Sequence, residues 1–92
     1  MEFEWSPKTA AINLKEHKVS FDEAATVFTD FFSMTYPDPD HSTDESRYIT
    51  IGESYRGRLL FVSHAERSQN RIRIISARKA TGHERKEYEE FK

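Results

Sequence analysis

Arg71-Ile72-Arg73-Ile74-Ile75-Ser76-Ala77-Arg78-Lys79 alternates like a β-strand while carrying three arginines and a lysine. A period of two places Ile72 and Ile74 on one face and Arg71 and Arg73 on the other. The stretch reads as a central strand. Continued to its end, the same alternation predicts Ser76 and Arg78 on the isoleucine face, so that this face turns polar and Arg78 sits at the rim of a core near solvent. Arg71 and Arg73 read as a solvated strand face. Arg78 and Lys79 lie between a strand end and a helix start, where side chains can converge on a ligand from a rigid support.

Working outward, Gln69-Asn70 is a turn that brings in a preceding strand over 58–67. Before it, Tyr55-Arg56-Gly57 turns the chain out of another strand over 47–54, with Ile49 and Ile51 inward and Tyr48 and Thr50 outward. Residues 31–36 favour extended structure, and Pro37-Asp38-Pro39-Asp40 stops that strand because proline fixes φ and removes a donor. A polar loop then runs through Glu45. The segment 31–78 is therefore an antiparallel meander of about four strands. Downstream, Thr81-Gly82-His83-Glu84 is a capping box that opens a C-terminal helix with Tyr88 and Phe91 on its narrow apolar side.

At the other end Phe3-Glu4-Trp5 reads as a short strand, and Ser6-Pro7 marks a helix start. That helix carries Ala10, Ala11 and Leu14 on one side and ends near Lys18. Ser20-Phe21-Asp22-Glu23 is a second capping box, with Val19 as a staple and Ala24, Ala25 and Phe28 as an apolar stripe. The class is α+β: two N-terminal helices and one C-terminal helix packed on the meander.

At 92 residues the chain makes one domain, 1–92, with a small core. It contains no cysteine, which excludes disulfides, thiol nucleophiles and cysteine zinc sites. No apolar run approaches the ~20 residues needed to cross a bilayer, and the acidic start Met1-Glu2-Phe3-Glu4 does not read as a signal peptide. A cytoplasmic protein without membrane association is expected. The net charge of −2 is unevenly spread: residues 1–46 hold 3 basic and 10 acidic side chains, residues 47–92 hold 11 and 6. The halves carry −7 and +5. Such a split fits separate faces for an anionic ligand and a basic partner, or two halves that attract each other.

Several stretches resemble the BrnT family: Phe3 to Pro7, His17 to Ala24, Asp44 to Gly52, Gly57 to Leu60, Arg73 to Ala80, then Glu84 and Tyr88-Glu89. The resemblance runs from Phe3 to Glu90. It implies the toxin half of a type II toxin–antitoxin module, a fold similar to RelE-type ribonucleases, and RNA cleavage without a metal or other cofactor that inhibits translation and growth. It also implies an antitoxin of ribbon-helix-helix type, BrnA-like. Because such proteins dimerise, two toxins per antitoxin dimer are expected, with operator DNA bound only through the antitoxin.

Metal-free RNA cleavage takes the 2′-hydroxyl as nucleophile, so the protein must supply a proton acceptor, a proton donor and cations. His64 exchanges protons near neutral pH, and Arg67 follows three residues on. Arg78 and Lys79 supply cations. His64, Arg67, Arg78 and Lys79 are thus the candidate catalytic residues, and Arg47, Arg71 and Arg73 the candidate substrate-binding ones. Glu45 or Glu84 serves as base if burial raises its pKa, though the capping box accounts for Glu84 without function. Plainer readings stand beside these. A strand histidine is often a hydrogen-bonded core residue, Arg67 beside Glu66 is an ordinary surface ion pair, and Tyr88 packs a helix onto the sheet. Asp38, Asp40 and His41 have the residue types of a metal site, but Pro-Asp-Pro-Asp is first a turn signal, and no metal is assigned there. The alternative function is a non-catalytic RNA- or protein-binding module on the same fold.

Overall fold

In the computed structural model, which describes residues 1–40 and 46–92, the chain runs through β1 (Glu2–Glu4), α1 (Pro7–His17), α2 (Phe21–Ala25) and a 3-10 turn (Thr26–Thr29). There follow β2 (Met34–Pro37), β3 (Arg47–Glu53), β4 (Leu59–Ser68), β5 (Arg71–Lys79) and α3 (Gly82–Phe91). Strands β2 to β5 form the expected antiparallel meander. The sheet is nevertheless mixed and five-stranded, in the order β1-β5-β4-β3-β2, because β1 adds to β5 in parallel. Its register sets Glu2 beside Arg71 and Glu4 beside Arg73, so opposite charges face each other across the seam.

The stretch that organises the chain departs from simple alternation. His64 pairs with Ile74 but Ser63 pairs with Ser76, so Ile75 is an extra residue in β5. A bulge of this kind reverses the faces beyond it. Ala77, not Ser76 or Arg78, continues the face of Ile72 and Ile74, and the expectation that Arg78 shares the isoleucine face is corrected. Arg78 pairs with Phe61 on the other face.

The sheet is covered on both sides. Val19 from the link between α1 and α2, Phe21 and Ala24 of α2 and Val27 of the 3-10 turn pack on Leu60, Val62, Ile74 and Ala77. On the other face Tyr88 of α3 packs with Ile49, Ile51 and Leu59. Gly52 allows the 3-10 turn to approach β3, since an added Cβ would lie 3.0 Å from the Val27 carbonyl oxygen.

Ser6, Ser20 and Thr81 each cap a helix as predicted, accepting from Thr9, Glu23 and Glu84 backbone N–H groups. Only Thr81 and Glu84 complete a capping box. The Glu23 carboxylate turns away to accept from Ser54 Oγ at 2.7 Å and from Arg58 Nε at 2.9 Å, and the other Arg58 nitrogen closes the pair. Two apolar stripes also differ from expectation. The inward side of α1 is Ala10 and the buried Asn13, leaving Ala11 and Leu14 exposed, and Phe91 of α3 is exposed. Asn13 repays its burial by bonding the edge of β5: its Nδ2 donates to the Val19 and Ala77 carbonyls, and its Oδ1 accepts from Ala77 N–H at 3.1 Å.

Candidate nucleic-acid interface

α3 covers only one end of its face of the sheet. At the other end the cross-strand register Arg47–Ala65–Arg73–Glu4 lays a row of long charged side chains across four adjacent strands, with a fully buried alanine as floor. Arg67 joins them from the end of β4. Arg47, Arg67 and Arg73, one from each of β3, β4 and β5, line a cleft of about 330 Å³ whose wall is completed by Ile74 and Ile75 of β5 and by Ser6 and Thr9 at the start of α1. The bulge thus shapes the cleft as well as turning the strand. Glu4 lies among the cations: its carboxylate is 3.7 Å from Arg67 Nε, 3.6 Å from Arg73 Nη1 and 3.7 Å from Arg71 Nε. Arg71 also donates to Glu2 at 3.1 Å. Together with Glu23–Arg58, these pairs show that the acidic and basic halves do attract each other.

A second cluster lies towards α3. Arg78 stacks on Phe61, its guanidinium carbon 3.9 Å from the ring centre, and donates twice to Glu84 at 2.9 Å. Those hydrogen bonds hold the Glu84 carboxyl below its ordinary range and raise Arg78, so both stay charged. Tyr36 lies on the same face, in the row Tyr36–Ile49–Ser63–Ser76, and burial with the nearby Glu84 and Glu87 carboxylates keeps its phenol protonated. Tyr88 is a packing residue whose hydroxyl donates to Asp30 at 2.6 Å.

The four candidate catalytic residues are not brought together. His64 is 2% exposed and lies on the opposite face, in line with Tyr48 and Ile74. Phe28 meets its ring edge-on at 4.9 Å, Tyr48 stacks on it, and its Nε2 is 2.8 Å from Thr50 Oγ1. Burial lowers its pKa to about 4, so the ring is neutral at pH 7. Lys79 is exposed at the end of β5, on the face away from Arg78. Arg67 lies in the cleft, with Arg47 and Arg73, while Arg71 flanks it through Glu4. Glu45 and His41 lie outside the described residues. Asp38 accepts from the Asp40 backbone N–H at 3.0 Å, the turn expected of that sequence, and no group of potential metal ligands occurs among the described residues. Nor is any helix among them long and apolar enough to cross a membrane.

Residues 5–84 match the model of a family described as ribonuclease toxin, BrnT, of type II toxin–antitoxin system. The chain belongs to the BrnT family. It is accordingly a member of a family of ribonuclease toxins whose modules pair them with a protein antitoxin. The fold agrees with the 1.1 Å crystal structure of the Brucella abortus ribonuclease toxin BrnT at a TM-score of 0.70, over 88% of this chain and 97% of that one, with 19% sequence identity. No curated protein sequence matches. Within this BrnT chain, Glu4, Ser6, Thr9 and Tyr36 of the candidate interface are not marked as site residues by the sequence reading, although the alternation of Glu4 with Phe3 and Trp5 already set it on the face away from the core.

Proposed function

We propose that the chain is a metal-independent endoribonuclease of RelE-like type, acting in the cytoplasm to block translation, and that the half-open sheet face is where RNA binds. The observation that carries this reading is the convergence of Arg47, Arg67 and Arg73 from three neighbouring strands on one cleft. Guanidinium groups match phosphate oxygens in planar, bidentate geometry, and cations fixed on strands stabilise the extra charge of a phosphorane as the 2′-hydroxyl loses its proton to solvent and attacks, and the 5′-oxygen leaves with a proton from solvent. Arg71 extends the cationic row along the strand, and Tyr36 offers a ring on which a base can stack. Arg78 contributes through the field of the face and through α3, to which it is tied. His64 supports the reaction by position, holding β3 and β4 through Thr50, rather than by proton transfer.

The partner in this reading is a ribbon-helix-helix antitoxin of BrnA type, two toxins to one antitoxin dimer, with operator DNA contacted by the antitoxin alone. Cleavage of a labelled RNA by the parent and by Arg73→Ala, with and without EDTA, tests the reading. A loss of about two orders of magnitude in the folded variant is expected, with EDTA leaving the parent unaffected. The burial of His64 favours one alternative, a binding module that keeps the fold without the chemistry. It predicts RNA binding that depends on Arg73 with no cleavage by the parent.

A further inference from the structure

An anion of the protein's own, Glu4, borders the cationic cleft and contacts two of the arginines that line it. We propose that Glu4 is a specificity-determining residue, a built-in competitor for phosphate that keeps the arginine row from binding polyanions indiscriminately. The inference rests on the cleft being the RNA site. Glu4 reaches two of the cleft arginines, Arg67 and Arg73, and also Arg71, all at 3.6–3.7 Å. Those separations are longer than the ~2.7–2.9 Å of a charge-assisted hydrogen bond. The carboxylate therefore sits among three guanidinium groups in Coulombic contact without locking any of them in a fork, and a phosphate can displace it by making the short bonds it does not make. Glu4 is one-third exposed, on an edge strand of three residues, so it can swing aside without disturbing the core.

The register explains why the competitor is there. β1 pairs in parallel with Arg71–Arg73, which places Glu4 beside Arg73 and Glu2 beside Arg71. A surface of clustered arginines would otherwise condense onto any nucleic acid, because counterion release rewards every phosphate contact alike. An internal carboxylate removes part of that reward. Only a ligand that offers further contacts, to Ser63 and Ser76 on the same face, the Tyr36 ring or the start of α1, recovers it. Net charge of −2 and a selective nucleic-acid site are then compatible.

Glu4→Gln keeps the side-chain shape and removes the charge. Its binding to a 2′-O-methyl RNA oligonucleotide, which cannot be cleaved, and to single-stranded DNA of the same sequence is compared with that of the parent from low to high salt. The variant is expected to bind both about 3–10-fold more tightly at low salt, with the gain larger for DNA. Its log–log salt slope should steepen by up to ~0.7, the increment for one more phosphate equivalent on a single strand. Glu4→Asp should keep the parental slope. Weaker binding by Glu4→Gln, or an unchanged slope and affinity while Arg73→Ala still abolishes binding, overturns the role of Glu4 and leaves the cleft intact as the RNA site. Binding by the parent that is indifferent to Arg73→Ala overturns both. Circular dichroism and the Tm of each variant confirm that the folded state is being compared.

Discussion

His64 is committed to the core. With its ring between Phe28 and Tyr48 and its Nε2 on Thr50, it is neutral when folded, and a pKa of about 4 lies below the ordinary 6.5. The unfolded chain therefore takes up a proton that the native state refuses. Stability from this group is fully present above pH ~6.5 and drains as the pH falls towards 4, by an amount on the order of 3 kcal/mol. Urea unfolding at pH 7, 5.5 and 4.5 should show the parent losing stability more steeply than His64→Gln, and parallel curves would refute the assignment. Asn13 belongs to the same scale. Asn13→Ala leaves the Ala77 N–H and two carbonyls without their partner and should cost about 2–3 kcal/mol. The inward place of His64 was legible in its spacing from Leu60 and Val62, which share its face. That of Asn13 was not, because helix periodicity marks apolar residues and this inward residue is polar.

α3 is held by two contacts that differ in kind. Its only buried side chain among the described residues is Tyr88, which packs on Ile49 and Ile51 and donates to Asp30, and its first turn is pinned by Arg78 on Glu84. Asp30 also accepts from the Glu53 and Phe32 backbone N–H groups. Burial pushes its carboxyl pKa up, but the three hydrogen bonds outweigh burial and leave it low. Tyr88→Phe is expected to cost about 1–2 kcal/mol, since Asp30 keeps its other two donors. Arg78→Ala should cost about 1–3 kcal/mol by leaving Glu84 half-buried without its cation, and Arg73→Ala less than about 1 kcal/mol because Arg73 is itself well exposed and its contact with Glu4 is a long 3.6 Å. Thermal and urea unfolding of the three variants check this ordering. Arg73→Ala equal to Arg78→Ala would mean that the Glu4 cluster, too, is structural. The caps of all three helices and the meander were legible because serine, threonine, proline and glycine act locally. The bulge at Ile75 was not, because it depends on which residues of β4 it faces, and with it went the correct face for Arg78.

At the scale of the molecule, opposite charges meet at the β1–β5 seam and at Glu23–Arg58, and Arg47, Arg67 and Arg73 line a cleft on the open half of one sheet face. Apolar side chains are exposed elsewhere: Phe31 and Phe32, stacked edge to face at 5.3 Å, and Phe91 at the end of α3. On the proposed function, RNA meets the arginine face, and an antitoxin has these apolar side chains to cover as well. RNA binding draws on phosphate contacts, and each one releases counterions, so its affinity falls steeply with salt. An acidic antitoxin segment that competes for the arginines shares that dependence in part. An antitoxin that also covers the exposed phenylalanines gains from apolar burial, which screening does not weaken. Raising the salt should then weaken binding of a non-cleavable RNA by a larger factor than binding of the cognate antitoxin, with both measured on the parent chain over the same range. Phe31→Ser combined with Phe91→Ser should reduce antitoxin affinity while leaving the RNA salt slope as it was. Equal slopes for the two ligands would show that the antitoxin interface is mainly electrostatic, and antitoxin binding indifferent to the double substitution would place Phe31 and Phe91 outside it.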